Sequence, residues 1–336
     1  MKVHYLTTLL AIFGLLFFSS CDDDDNDAIE INEEPEFVAG LNRVTFESEG
    51  ETVVGSLFLP DSYEAGDQPP IIIVTGPWTQ VKEMVGHRYS RVLADLGYAA
   101  LAMDHRFWGE SGGEPRFLES TNEKHLDILA AVDFVHTLDV VDTDRLGVLG
   151  VCAGVGYTSL AVARDSRIRA MATISPWVQH PETSPQFYGG EEGVARRIQL
   201  SRDAQRTYEQ TGEMPTVPAY DPDDPEAAMF FPVDYYGNPT RGAVPTWENN
   251  FAVASWEEWV TLNTIEMARD IDIPVRIVYG TETYLPDNVR AYYDLLPNEE
   301  SDISLIEGEH TQFYDQDPFV TETTVSAVEH FEEHLR

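Results

Sequence analysis

The stretch Gly150-Val151-Cys152-Ala153-Gly154 is the strongest indication of the fold of this chain. Its pattern is glycine, any residue, a nucleophile, any residue, glycine, with a thiol at the nucleophilic position. The apolar run Arg145-Leu146-Gly147-Val148-Leu149 precedes it and suits a buried parallel strand, and the helix-compatible residues Tyr157 to Arg164 follow it. The sequence therefore predicts a sharp strand-to-helix turn that presents Cys152 at its tip.

The two glycines have a steric reason at such a turn. Bulky side chains beside Cys152 would collide with the adjacent strand and helix, and Gly150 and Gly154 avoid this. The turn also directs the Ala153 N–H toward a developing oxyanion, and the positive helix end is expected to favour the Cys152 thiolate. Alternatively, Cys152 is a small buried hydrophobe beside glycines that are needed for packing.

Apolar strand-like segments alternate with helical segments along most of the chain. Strands are predicted at Arg43 to Glu47, Val53 to Leu59, Ile71 to Thr75, Ala99 to Met103, Leu146 to Val151, Ala170 to Ile174, Val275 to Tyr279 and Ile303 to Glu307. Helical periodicity is clearest at His125 to Leu138. This alternation predicts an α/β fold with a mostly parallel sheet, helices on both faces and an antiparallel first strand pair.

One long segment, residues 176 to 268, breaks this alternation. It is rich in proline and in aromatic residues, among them Trp177, Phe187, Tyr188, Tyr208, Tyr220, Phe230, Phe231, Tyr235, Tyr236, Trp247, Phe251, Trp256 and Trp259. A structureless loop of this length would be unusual, so we expect a partly helical cap inserted before the last two strands. The aromatic residues suit the core of such a cap better than a ligand cage.

The N-terminus has the features of a signal peptide. Lys2 precedes an apolar run from Leu9 to Phe18, which is too short to span a bilayer, and Ser19-Ser20-Cys21 follows. This ending resembles the lipobox of bacterial lipoproteins, which implies a signal peptide at 1–20 and lipidation of Cys21. The alternative is a plain secretory signal with Cys21 unmodified.

The acidic residues after Cys21 suggest a tether. Residues 21–40 are predicted to be an acidic, flexible segment, followed by one globular domain at 41–336. An acidic run beside the lipidated cysteine resembles the surface-export signal of Bacteroidota lipoproteins. We therefore expect an exported protein anchored by lipid to a bacterial outer membrane, with periplasmic or surface orientation left open.

Composition restricts the partners. The formal charge of −38 argues against nucleic-acid binding and disfavours direct contact with anionic lipid heads, so the acyl anchor would be the membrane link. Cys152 and Cys21 are the two cysteines, so lipidation of Cys21 would leave no disulfide within the chain. Oligomeric state is open.

The order of segments resembles the α/β-hydrolases, and a cysteine at the elbow is similar to dienelactone hydrolase and related bacterial esterases and thioesterases. The resemblance spans about residues 43 to 336. The stretches that carry it, besides the elbow, are Gly76-Pro77-Trp78 after the third strand, Asp104-His105-Arg106-Phe107-Trp108-Gly109 after the fourth and Gly308-Glu309-His310 after the last.

The resemblance implies a catalytic triad. Cys152 would be the nucleophile and His310 the base. The acid would follow the strand Val275 to Tyr279, where Glu282 is the first choice and Asp287 the second. Carboxylate and imidazole together would take up the thiol proton and stabilise the resulting charge.

The oxyanion hole is implied in the same way. Its donors would be the backbone N–H of Ala153 and that of Trp78, with Thr79 as the next candidate. No metal or organic cofactor is implied. The segment from His330 to His334 matches the H-x-x-E-H zinc motif formally, but no further ligand follows it, and we expect a solvated helix face there.

Three hypotheses about function follow. The first is an extracytoplasmic, lipid-anchored hydrolase that cleaves a small ester, thioester or lactone through a Cys152 acyl-enzyme. The second is acyl transfer or peptide cleavage in the same pocket. The third is a catalytically inactive binding protein that keeps the elbow for structure alone.

Overall fold

An eight-stranded sheet runs through residues 37–336, the part of the chain that the computed structural model describes. The predicted signal peptide, Cys21 and most of the predicted tether lie outside these residues. The tether's last residues, 37–40, are described, and Phe37 packs half-buried against the domain core.

The strands and helices begin and end as follows. The strands are β1 Gly40–Ser48, β2 Glu51–Leu59, β3 Pro70–Thr75, β4 Ala99–Met103, β5 Asp142–Val151, β6 Ala170–Ile174, β7 Thr216–Val217, β8 Phe251–Ala252, β9 Val275–Glu282 and β10 Asp302–Glu309. The helices are α1 Val85–Asp95, α2 Thr121–Val135, α3 Gly154–Val162, α4 Ser184–Phe187, α5 Gly190–Thr211, α6 Asp234–Gly237, α7 Trp256–Thr261, α8 Thr264–Met267, α9 Pro286–Leu295, α10 Gln312–Asp315 and α11 Phe319–His334.

The sheet order is β1-β2-β4-β3-β5-β6-β9-β10. Strand β2 pairs antiparallel with both β1 and β4, and the other neighbouring pairs are parallel. Helices α1 and α11 pack together on one face, while α2, α3, α8 and α9 form a contiguous layer on the other. The predicted α/β architecture and antiparallel first pair are confirmed.

The eight predicted sheet strands all form, and the differences lie at the ends of elements. Helix α2 begins at Thr121, four residues before the predicted start, because Ser120 caps it: the Ser120 hydroxyl accepts the Glu123 N–H at 3.1 Å. The helix after the elbow begins at Gly154 instead of Tyr157. Both helices therefore start directly at the edge of the sheet where the site is built.

The segment 176–268 holds five helices and the short antiparallel ribbon β7–β8. Its longest helix is α5, whose buried side packs against α4 and α7. Some of its aromatic residues are buried among themselves, including Trp256, which packs on Phe251 with 4.9 Å between ring centroids. Within residues 37–336 no helix combines the length and the apolar character needed to cross a membrane.

Candidate active site

Cys152 lies at the tip of the turn between β5 and α3, in a left-handed backbone conformation with φ of 56°. Such a conformation is uncommon for a residue with a side chain and is held by the surrounding structure. The Cys152 N–H donates to the Ile174 carbonyl of β6 at 3.1 Å, and the Trp177 N–H donates to the Cys152 carbonyl at 3.0 Å. The peptide groups on both sides are thus fixed, and the thiol projects from a rigid corner.

The glycines of the elbow are sterically required. A Cβ on Gly150 would come within 2.8 Å of the Gly154 backbone, and one on Gly154 would come within 2.7 Å of the Thr75 hydroxyl. Strand β5 and helix α3 can therefore approach closely only without these side chains.

The Cys152 sulfur is buried among hydrogen-bond donors. The backbone N–H groups of Ala153 and Trp78 and the hydroxyl of Tyr314 lie near it and act to lower its pKa. Burial dominates and raises the pKa of the Cys152 thiol to about 11, against the effect of these three donors. Loss of water around the sulfur therefore opposes the resting thiolate that the helix end is expected to favour.

The loop after β3 supplies one of these donors. The Trp78 N–H lies near the sulfur and acts to lower its pKa, whereas the Thr79 N–H donates to the Glu119 carboxylate at 2.9 Å. The structure thus places Trp78 and Ala153, the two preferred candidates for an oxyanion hole, around one point. Thr79, the next candidate, is engaged elsewhere.

His310 follows β10 and lines the same pocket as Cys152. Its Nδ1 lies 2.9 Å from the Thr283 hydroxyl, and its Nε2 is buried with no hydrogen-bond partner within residues 37–336. Burial lowers the pKa of His310 to about 3, so the imidazole is neutral. No hydrogen bond joins it to Cys152 in this part of the chain, and such contacts commonly tighten only when substrate binds.

Neither predicted acid reaches His310 with its carboxylate. Glu282 is exposed, and only its backbone carbonyl contacts His310, accepting the His310 N–H at 3.2 Å. Asp287 is exposed in the first turn of α9. Strand β9 continues through Glu282, so its neighbour Thr283 turns to the histidine instead.

Thr283 and Tyr314 are site residues that the sequence did not single out. A threonine beside Glu282 carries no charge to mark it, and Tyr314 lies four residues after His310 in a short helix with no distinctive motif. The one available signal was their nearness to Glu282 and His310 along the chain.

A narrow pocket lies in front of the sulfur. Its volume is about 430 Å³, which includes space open to solvent. The lining residues are Trp78, Cys152, Trp177, Tyr188, Met229, Phe231, Val233, Tyr236, Trp259, Tyr284, His310, Thr311 and Tyr314. The 176–268 segment therefore contributes aromatic side chains to the pocket as well as to its own core, and no Asp, Glu, Lys or Arg from residues 37–336 lines it.

The segment from His330 to His334, which matches the H-x-x-E-H zinc motif, is less exposed than predicted. His330 is 5% exposed, and its Nε2 lies 3.3 Å from the Pro274 carbonyl. The predicted solvated face is wrong at this residue, because α11 packs this side against the sheet. Within residues 37–336 no group of three or more His, Cys, Asp or Glu side chains could hold a metal ion.

This strand order, with a nucleophile turn after the fifth strand and a histidine after the last, defines the α/β-hydrolase fold, and the chain has that fold. It is similar to the crystal structure of the α/β hydrolase GrgF from Penicillium sp. sh18, with a TM-score of 0.74 and 18% identity over 88% of this chain and 99% of that one.

Two bacterial proteins are also similar. The hypothetical protein PA2218 from Pseudomonas aeruginosa has a solved structure that matches with a TM-score of 0.75 and 25% identity, covering 88% of this chain and 93% of that one. The uncharacterized protein YcjY of Escherichia coli K12 is 29% identical over 311 residues, 88% of this chain and 99% of that protein. No family model matches the chain.

Proposed function

We propose that this chain is a hydrolase that cleaves an ester, thioester or lactone through an acyl-enzyme on Cys152, in the manner of dienelactone hydrolase-like enzymes. The observation that carries the proposal is the Cys152 sulfur itself. It lies on a rigid turn, has the backbone N–H groups of Ala153 and Trp78 nearby and opens on a pocket that it shares with a neutral histidine.

The first half-reaction follows from these groups. His310 Nε2 takes the thiol proton as the sulfur attacks the carbonyl carbon, and the carbonyl oxygen becomes an oxyanion held by the N–H groups of Ala153 and Trp78. When the oxyanion collapses, the bond to the leaving group breaks, and His310 returns the proton to that group. The product is a thioester between the acyl group and Cys152.

The resting protonation states favour a concerted proton transfer. Burial raises the pKa of Cys152 and lowers that of His310, and both shifts oppose a thiolate–imidazolium pair before substrate arrives. For Nε2 to accept a proton, Nδ1 must carry the ring hydrogen and donate it to the Thr283 hydroxyl oxygen. Thr283 thus takes the orienting role that a carboxylate has in a classical triad.

The second half-reaction needs an acceptor. His310 removes a proton from water, the resulting oxygen attacks the thioester, and the free acid leaves as Cys152 regains its proton. Because the pocket walls are mostly apolar and offer water few hydrogen-bond partners, transfer to an alcohol or amine acceptor is the second candidate function. Adding such an acceptor to the assay distinguishes the two by product.

The pocket also restricts the acyl group. Its walls are aromatic and aliphatic and lack a charged side chain, so a neutral apolar acyl group fits and an anionic one would lose its hydration without a partner. We expect neutral acyl esters to react faster than esters of the same length that end in a carboxylate.

The proposal includes export of the protein and a lipid anchor at Cys21. The signal-like residues before Cys21 support export and a lipid anchor, with an outer-membrane position as the working hypothesis. Mass spectrometry of the mature N-terminus would reveal whether Cys21 carries acyl chains.

The central test compares hydrolysis of a short-chain aryl ester and an acyl thioester by the full-length protein and its variants. We expect Cys152→Ala and His310→Ala to lose about a thousandfold or more of kcat/KM, since each removes a reacting group. His136→Ala, at the end of α2 and outside the pocket, serves as the control and should keep the rate. If the folded wild type is inert and Cys152 resists acylating probes, the binding-protein hypothesis replaces this one.

A further inference from the structure

A buried ion pair contacts the loop after β3, which contains Trp78 and Thr79. Glu119 and Lys124 are 3% and 1% exposed, and the Lys124 ammonium contacts both Glu119 oxygens at 2.6 and 2.8 Å. Such a pair costs about as much in lost hydration as it gains in attraction, so it is weak evidence of stabilisation by itself. The position of the pair, between the loop after β3 and the helix after the elbow, suggests a role in the site.

The Glu119 carboxylate connects the loop after β3 to the helix after the elbow. One oxygen accepts the Thr79 N–H at 2.9 Å, and the other accepts the Tyr157 hydroxyl of α3 at 2.7 Å. The backbone of Glu119 is fixed too, because its N–H donates to the Ser255 hydroxyl at 2.8 Å. Side chain and backbone of Glu119 together thus join three separate parts of the chain.

Thr79 is held in a conformation that it would not adopt freely. Its φ is 60°, which is costly for a β-branched residue. Its N–H is bound by Glu119, and its carbonyl accepts the Trp247 indole N–H at 2.7 Å. These two hydrogen bonds compensate the strain and fix the loop directly after Trp78.

We propose that the Glu119–Lys124 pair is a positioning device for the oxyanion hole, in which Glu119 holds Thr79 so that the preceding Trp78 stays beside Cys152 in the pocket. Lys124 balances the buried charge, so both carboxylate oxygens remain acceptors, one for each side of the elbow. The effect on rate rests on the proposed function, whereas the effect on the loop does not.

Two double variants differ in whether residue 119 can form hydrogen bonds with Thr79 and Tyr157. Glu119→Met/Lys124→Met removes both charges and leaves the Thr79 N–H without a partner. Glu119→Gln/Lys124→Met also removes both charges, but its amide oxygen can still accept the Thr79 N–H while the Tyr157 hydroxyl turns to accept from the amide nitrogen. Comparing the two separates the hydrogen bond from the loss of the ion pair.

The first measurement compares two reactions of Cys152 in the full-length protein. Acylation by an aryl ester needs the oxyanion hole, whereas alkylation by chloroacetamide forms no oxyanion. We expect the methionine variant to be acylated at least about tenfold more slowly than the glutamine variant, with alkylation rates within about threefold of each other. Equal acylation rates would overturn the proposal, and so would a parallel fall in both reactions, which indicates general loss of structure.

The second measurement does not depend on catalysis. Amide hydrogen exchange should show faster exchange of Thr79 and Trp78 in the methionine variant than in the glutamine variant, with β5 unchanged in both. Unaltered exchange at Thr79 would contradict the positioning role even if the wild type is acylated. Conversely, inert wild type with altered exchange would count against the proposed function alone.

Discussion

At the scale of single residues, the proposed site differs from a classical triad at its third member. A hydroxyl, Thr283 Oγ1, stands where a carboxylate would orient and charge-balance the imidazole. A neutral partner orients the ring but stabilises its protonated form only weakly. The strongly lowered pKa of His310 agrees with this. The cysteine suits this arrangement because a thiol gives up its proton more readily than a serine hydroxyl.

Substitution of Thr283 tests the orienting role. Thr283→Val keeps the shape and removes the hydrogen bond, which should lower kcat/KM about three- to tenfold. Thr283→Asp places a carboxylate beside Nδ1, which should raise the pKa of His310 because it favours the protonated ring. As His310 must be neutral to accept a proton, the acidic limb of the kcat/KM profile should move to higher pH in this variant.

The pH dependence of kcat/KM from pH 9 to below the His310 pKa of about 3 is the measurement, with Thr283→Val as the matched control. The acidic limb of Thr283→Val should stay with that of the wild type. Superimposable limbs in the aspartate variant and the wild type would mean that Thr283 does not govern the histidine.

At the scale of elements, the elbow depends on how closely β5 and α3 approach. Gly150 and Gly154 lie where any side chain would overlap neighbouring atoms, whereas Gly156, two residues further on, faces Thr121 and Thr264 at ordinary contact distance. The same short segment therefore contains glycines that are required by packing and one that is not.

Alanine substitutions should separate these glycines. Gly150→Ala brings its Cβ within 2.8 Å of backbone and should destabilise the protein by about 1–3 kcal/mol, since backbone cannot move aside as a side chain can. Gly156→Ala lies inside α3 with room for a methyl group and should be neutral or stabilising by up to about 1 kcal/mol. Urea unfolding of both variants measures the difference, and equal destabilisation would refute the steric argument.

At the scale of the whole molecule, the sequence predicted the sheet because buried parallel strands are continuous apolar runs, such as Ala99–Met103, that local pattern reveals. It indicated that Cys152 and His310 would lie close together, because a glycine-flanked turn after the fifth strand and a histidine after the last lie at the same edge of the sheet, and the two residues do line one pocket. Thr283 was missed because the choice between it and Glu282 depends on which side of β9 each faces. The raised pKa of Cys152 was missed because burial depends on how the 176–268 segment packs.

Buried histidines make the free energy of unfolding depend on pH in the acidic range. Burial lowers the pKa of His330 to about 4, and its charged neighbours are His334, Asp302 and Arg276. The unfolded chain takes up a proton at this position near pH 6.5 and the folded chain does not, so the stabilising contribution is present above pH 6.5 and is lost as pH falls toward 4. His310, with its pKa of about 3, acts in the same direction.

His330→Gln keeps a donor for the Pro274 carbonyl and removes the titration. Between pH 7 and pH 5 the wild type should lose up to about 2 kcal/mol more free energy of unfolding than this variant, as expected for one histidine that stays neutral across that interval. The comparison cancels the opposing effect of the formal charge of −38, whose self-repulsion weakens on acidification in both proteins alike. Urea titrations of both proteins at the two pH values give the four free energies; parallel losses would place the acid sensitivity elsewhere in the molecule.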